Sequence, residues 1–294
     1  MTTIAVIGLG VMGGPMATNL VKAGYDVVGY NRSPEKVNAL VSEGGRGATS
    51  VAEAVKNAQV VLTVLPDSPD VEEVVDGPDG VLTHAAPGTL WIDSSTIEPK
   101  VTVRLAQAAG ERGLRAVDAP VSGGEAGARE ASLSIMVGGD AVDVMEAGPV
   151  LEAVGSTIVH VGPSGSGQTV KAANQLIVAG TIELVAEALV FLEASGVDTE
   201  AAVKVLAGGL AGNRILDRKA GSMITREFTP GFRVDLHHKD LGIVTSAARE
   251  VGVAIPLGAA VAQLMGVLRA RGHGSLDHSA LLLLVDELSG RAGT

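Results

Sequence analysis

The strongest constraint on this chain is a glycine pattern set between two apolar runs. Gly8-Leu9-Gly10-Val11-Met12-Gly13 matches G-x-G-x-x-G, but with 39 glycines in 294 residues the spacing alone says little. Its setting decides. Residues 4–7 form a short apolar run, a helical pattern extends from about residue 12 to 22, and residues 26–30 form a second apolar run. That is a βαβ unit with the glycines at its first turn. There the first glycine permits the tight turn, the second lets backbone approach a pyrophosphate, and the third lets helix pack on strand. The N–H groups at the helix start then face the phosphates. A ligand-free glycine turn is the bland alternative; the complete setting favours a dinucleotide site over Gly8, Leu9, Gly10, Val11, Met12 and Gly13.

The end of the second strand bears on which dinucleotide. An acid there would grip a free ribose 2′-hydroxyl. This chain instead has Asn31-Arg32-Ser33, with Lys36 one turn on, while Asp26 stands too far back. A guanidinium and a hydroxyl suit a 2′-phosphate, so NADP(H) is expected in preference to NAD(H). The alternative for Arg32 is a solvated surface arginine.

Further β-branched runs alternate with helical patterns at residues 60–65, 90–93, 115–118, 133–137 and 157–161. Ser33-Pro34 and Ser68-Pro69 read as helix openings, and Ser50 with Glu53 has capping-box spacing. Continuous apolar strands between helices predict a Rossmann-type, doubly wound α/β sheet, largely parallel. After Gly162-Pro163-Ser164-Gly165-Ser166-Gly167 the character changes. From about residue 168 to 194 nothing breaks a helix except Gly180, and the stretch is apolar nearly all round. Helical patterns follow at 199–207, 214–223, 239–250, 256–271 and 279–288, and no strand pattern returns. Two domains are expected: residues 1–163, dinucleotide-binding, and residues 164–294, all-α and opening on the long helix.

Composition removes several function classes. With no cysteine there is no disulfide, thiolate nucleophile, iron–sulfur cluster or Cys-ligated zinc. Twenty-two basic against 33 acidic residues, net −11, is the wrong sign for a nucleic-acid groove, and one Trp, two Tyr and three Phe offer bases little to stack on. No lipid-facing run of ~18 charge-free apolar residues is read, so no membrane partner is expected. Met1-Thr2-Thr3-Ile4 has no basic flank and leads straight into a strand. The chain is therefore expected to carry no secretory signal and to be cytoplasmic. His237-His238 lacks metal-ligand spacing, His84, His160, His273 and His278 are scattered, and no carboxylate cluster suggests a divalent ion, so no metal is expected. The apolar surface of a helical second domain predicts a homodimer or homotetramer.

Lys171 is a single cation early in the long apolar helix, just after the glycine-rich hinge, with Asn174 and Gln175 at i+3 and i+4 on the same face. A desolvated lysine flanked by amides suits protonation of a carbonyl oxygen as hydride arrives. A snorkelling lysine is the bland reading. Ser122-Gly123-Gly124 follows a strand and Pro120, and a hydroxyl beside successive N–H groups can hold a carboxylate, although an ordinary turn looks the same. Lys239, read near the start of a helix beginning around His238, could close over substrate and cofactor or remain solvated.

Four motifs in this order resemble those of the β-hydroxyacid dehydrogenase family over essentially the whole chain. They are the glycine stretch continued by Gly14-Pro15-Met16-Ala17 with Asn19-Leu20; Asp118-Ala119-Pro120-Val121-Ser122-Gly123-Gly124; Gly165 to Gln175 around Lys171; and Lys239-Asp240-Leu241. Asn174 followed by Gln175, Gly208-Gly209-Leu210-Ala211-Gly212, the stretch from Pro230 to His237, and Asp277-His278-Ser279-Ala280-Leu281 resemble the branch that reduces tartronate semialdehyde (2-hydroxy-3-oxopropionate) to glycerate. Ala131 departs from the family, which usually has glycine there. The resemblance implies Lys171 as general acid with Asn174 beside it. It implies an anionic semialdehyde or hydroxyacid held by Ser122, Gly123, Gly124, Asn174, Phe232 and Lys239. It places Leu65, Pro66, Thr96 and Lys239 along the cofactor, with Asn31, Arg32 and Ser33 at its ribose. Competing readings are a 3-hydroxyisobutyrate dehydrogenase, a related short semialdehyde or glyoxylate reductase, an imine reductase (by resemblance lacking this lysine), and a non-catalytic NADP-binding scaffold or sensor.

Overall fold

Strand β1 (Thr3–Ile7) shows why the first half of the chain becomes a sheet covered on both faces. Ile4 and Val6 join one buried cluster with Leu62, Leu90 and Ile92, whereas Ala5 and Ile7 join another with Val61 and Trp91. Side chains alternate between faces along a strand, so a run apolar at every position needs cover on both. The computed structural model describes residues 1–291. Its strands continue as β2 (Asp26–Tyr30), β3 (Arg46–Gly47), β4 (Val60–Thr63), β5 (Leu90–Asp93), β6 (Arg115–Asp118), β7 (Val121–Ser122), β8 (Leu133–Gly139) and β9 (Gly155–Gly162).

The order along the sheet is β3-β2-β1-β4-β5-β6-β8-β7, with β9 paired to β8. Strands β1 to β6 pair in parallel, whereas β8 runs antiparallel to β6 and β7. The chain reverses direction of travel between β1 and β4, and such a switch point opens a crevice at the carboxyl ends of the strands. Strands β3 and β7 are additions to the sequence-based expectation, because two residues carry no periodic signal. The helix Ala141–Glu152 is a further addition; Asp140 caps it and Pro149 lies inside it.

The first compact unit ends at Lys171 and the second begins at Ala172, a division that falls inside the long helix Ser166–Ala194. By length and composition that helix could cross a membrane. Here it is a core element: Ala179, Ile182, Ala186, Leu189 and Val190 are buried with Leu216, Met223, Leu241, Met265 and Leu281 from the following helices. Among the described residues the second unit contains no strand, apart from an isolated bridge between Arg233 and Asp277.

Three helix boundaries are corrected. The helix carrying Lys239 begins at Val234, not near His238, because Arg233 is the last extended residue and the carbonyls of Leu276 and Gly274, not a side chain, take the N–H groups of Val234 and Asp235. The helix from Pro256 ends at Leu268, short of Arg271, and the chain then bends through Gly272 at φ 89°. The last helix begins at Leu281 after a short turn over His278–Ala280 capped by Asp277. The helix read from Ser68-Pro69 does start at Ser68, but its cap is Asp67.

Candidate active site

The glycine loop joins β1 to the helix Gly13–Lys22. Gly8 has φ 99°, and a side chain there would collide with the Val64 carbonyl; one at Gly13 would collide with the Gly8 carbonyl. A Cβ on Gly10, by contrast, would meet nothing within 4 Å. Two glycines thus serve packing, and the third leaves an open cradle beside a helix start, the positive end of the helix dipole. These features fit the pyrophosphate of a nicotinamide dinucleotide. Asn31 holds the loop, its Oδ1 accepting from Leu9 N at 3.0 Å. Ser33 makes no capping bond, and Arg32 is a surface side chain 3.7 Å from Asp70. Leu65 N–H donates to Ser95 Oγ at 2.9 Å, which ties the segment holding Leu65 and Pro66 to the loop holding Thr96.

Within the first unit a buried polar scaffold positions Lys171. Asp118, the last residue of β6, accepts from the N–H groups of Gly165 (2.8 Å) and Gln168 (3.1 Å) at the start of the long helix. Burial raises its pKa, opposed by these backbone bonds. The Gln168 side chain donates to Ser95 O (2.9 Å) and accepts from Ile97 N (3.2 Å), bracketing Thr96. One register step across the sheet, Asp93 accepts from Thr63 Oγ1 (2.7 Å) and Ser95 N, and burial pushes its carboxyl up to about 6. With the helix start pinned in this way, Lys171 is buried and its Nζ donates to Val121 O at 2.8 Å. Ser122 follows at once, then Gly123 at φ 140° and Gly124 at φ 67°, conformations that favour glycine. Ala131 also takes a left-handed φ, of 52°.

Within the helical unit a second network joins Asn174 to Lys239. Asn174 Nδ2 donates to Gln175 Oε1 at 2.8 Å, Gln175 Nε2 donates to Asp240 Oδ2 at 2.5 Å, and Lys239 Nζ pairs with Asp240 Oδ1 at 2.7 Å. Phe232 makes its ring contacts edge-on with His237 and His278, with centroids 5.6 and 5.5 Å away. Those imidazoles share a hydrogen bond between their Nδ1 atoms at 3.0 Å, and burial lowers the pKa of His278. Asp277 anchors the adjoining loop by accepting from Gly231 N, Phe232 N, Ser279 Oγ and Lys219 Nζ.

In the sequence Asp118 and Asp240 stand out only as motif letters. A signal for them exists nonetheless: each is an acid in an otherwise apolar strand or helix face, and a buried carboxylate needs donors.

Residues 3–162 match the model for the NAD binding domain of 6-phosphogluconate dehydrogenase, and residues 165–285 the model for the NAD-binding region of NADP-dependent 3-hydroxyisobutyrate dehydrogenase. The chain is 40% identical over 279 residues to 2-hydroxy-3-oxopropionate reductase of Escherichia coli (strain K12), covering 95% of both. It is 38% identical over 298 residues to an NAD-dependent L-serine dehydrogenase of Pseudomonas aeruginosa, covering 99% of this chain and 100% of the relative. Among solved structures it resembles Mycobacterium tuberculosis 3-hydroxyisobutyrate dehydrogenase with L-serine, at TM-score 0.87 and 37% identity, covering 96% and 98% of the two chains.

Proposed function

The chain belongs to the β-hydroxyacid dehydrogenase family, an NAD(P)-dependent group of enzymes, and we propose that it reduces tartronate semialdehyde to glycerate, with NADP(H) preferred to NAD(H). The observation that carries this reading is the buried Lys171 ammonium on the carbonyl of Val121, one residue before Ser122. A reduced nicotinamide, when bound, supplies the hydride to the aldehyde carbon. The chain supplies the rest. The Ser122 hydroxyl and the N–H groups of Gly123 and Gly124 take the substrate carboxylate. Lys171 gives a proton to the aldehyde oxygen as the carbon is reduced, leaving a hydroxymethyl group and a neutral amine. Asn174 stands three residues on along the same helix and assists at that oxygen or at the lysine. Lys239 and Phe232 complete the substrate surroundings, while Gly8 to Gly13, Asn31, Arg32, Ser33, Leu65, Pro66, Thr96 and Lys239 hold the cofactor. In a chain of net charge −11, Arg32, Lys171 and Lys239 provide local positive potential for two anionic ligands.

The substrate choice rests on the polar groups of Ser122, Gly123, Gly124 and Asn174 together with the 40% identity to the 2-hydroxy-3-oxopropionate reductase. Gln175, expected to add to them, is buried and uses both ends of its amide on Asn174 and Asp240. Tartronate semialdehyde carries a hydroxyl where methylmalonate semialdehyde carries a methyl. A pocket that bonds the hydroxyl leaves polar groups unpaired when the methyl binds. Following cofactor oxidation with both compounds tests this. We expect kcat/KM to favour the hydroxyl compound by at least ~100-fold. Preference for the methyl compound would move the chain to 3-hydroxyisobutyrate chemistry with the same lysine, and cofactor binding with no turnover of any semialdehyde would leave a scaffold or sensor. A homo-oligomer is part of the proposal, supported by the exposed apolar stripe Ile177, Leu184 and Phe191 on the long helix.

A further inference from the structure

The network from Lys239 to Asn174 has a direction, and Asp240 sets it. A carboxylate oxygen accepts hydrogen bonds and cannot give them. Asp240 is buried and ion-paired through Oδ1 to Lys239 Nζ, so the group facing its Oδ2 must be a donor. Gln175 is itself buried and must therefore turn its NH2 to Asp240 and its carbonyl oxygen to Asn174. Asn174 must then give an N–H to Gln175, which leaves its Oδ1 as an acceptor directed elsewhere. The orientation of the Asn174 amide follows from a charge two links away.

We propose that Asp240 is a positioning residue that acts through Gln175 to turn the Asn174 amide so that its carbonyl oxygen is the end directed away from Gln175, as an acceptor, while the same carboxylate holds the Lys239 ammonium. This rests on Asn174 being part of the active site, and it makes the Asn174 amide oxygen an acceptor in either of the two roles given to that residue. Asn174 accepts from a proton-bearing group, either the lysine ammonium before proton transfer or the product hydroxyl after it. The Gln175 side chain spans from Asn174 to Asp240.

The chain of acceptors can be inverted. In Asp240→Asn, the Lys239 ammonium keeps the remaining carbonyl oxygen, because facing an NH2 would set donor against donor. The new NH2 then faces Gln175, whose amide turns over and in turn reverses Asn174. Adding Gln175→Glu restores the original direction, since a carboxylate at position 175 accepts from the introduced amide at position 240 and from Asn174 alike. We expect Asp240→Asn to lower kcat by about 10- to 100-fold, the scale of a misplaced catalytic group, with the dissociation constant for NADPH and the thermal midpoint little changed. The exchanged pair, Asp240→Asn with Gln175→Glu, should recover most of that loss. A wild-type kcat in Asp240→Asn, or an exchanged pair no better than the single variant, would overturn the proposal. A second readout needs no turnover. In protein carrying ¹⁵N in its asparagine side chains, the Asn174 NH2 signals, identified by their loss in Asn174→Asp, should move in Asp240→Asn and return in the exchanged pair. Signals that ignore both changes sink the relay even if the enzyme acts on a different substrate. Signals that respond in a protein with no semialdehyde activity would uphold the relay and reject the proposed function.

Discussion

The Lys171 ammonium donates to the main-chain oxygen of Val121 across 2.8 Å, fifty residues back in the chain and directly before Ser122. This bond places the proposed acid beside the proposed carboxylate loop within one folded unit. Lys171→Ala should lower kcat by ~10²–10⁴-fold, the range for general acid catalysis, with NADPH affinity nearly unchanged. Lys171→Arg should recover little, because a guanidinium does not release its proton near neutral pH. A Lys171→Ala enzyme retaining a tenth of the wild-type kcat would remove the lysine from the mechanism.

Arg32 lies on the surface, 79% exposed and only loosely paired with Asp70. Such a pair contributes little to stability, so Arg32→Ala should leave the melting temperature in place. Its proposed task is at the 2′-phosphate, where losing a charge-assisted hydrogen bond weakens NADPH binding by about one to two powers of ten. NADH binding should hardly change. Fluorescence titration with both cofactors is the check, and equal losses for the two would show that Arg32 does not read the phosphate.

Glu183 is buried in the long helix with one carboxyl oxygen lacking a partner among the described residues. Burial, with Glu187 nearby, pushes its pKa up to about 7. A carboxyl whose folded pKa lies above its unfolded value, here the ordinary 4.5, contributes most below that lower value and loses its contribution as pH rises through about 7. Glu183→Gln should therefore match the wild type near pH 5 and become the more stable protein by pH 8. Urea midpoints measured across that range test the sign, and a gap that widens toward acid would reverse the assignment.

Ile177, Leu184 and Phe191 recur every seven residues along the long helix and are 68%, 63% and 70% exposed. Leu257, also exposed, lies beside Ile177 and Leu184 on an apolar groove of about 380 Å³. A contiguous apolar stripe of this kind is characteristic of an interface. Sedimentation should show an oligomer for the wild type and a smaller species for Leu184→Asp with Phe191→Asp. A monomeric wild type would leave the stripe without the partner proposed for it.

The glycine loop, the two-faced strands and the long helix were legible because each is specified by neighbours within a few residues. Gly8 and Gly13 are demanded by carbonyls that any tight strand-to-helix turn would bring close, and period two or 3.6 marks the rest. Lys171, Ser122 and Asn174 stand out as a cation, a hydroxyl and an amide at local spacing, but their roles are implied by the family resemblance of the motifs around them. What the tertiary structure decided lies between residues far apart in the chain. Asp118 anchors the long helix through N–H groups 47 and 50 residues away, Gln175 meets Asp240 across 65 residues, and His237 meets His278 across 41. Hydropathy periodicity reports which side of an element is buried, but not which donor on another element will meet a buried carboxylate. That pairing follows from packing, once burial has withdrawn water from Asp118 and Asp240 and left neighbouring side chains and backbone to take its place.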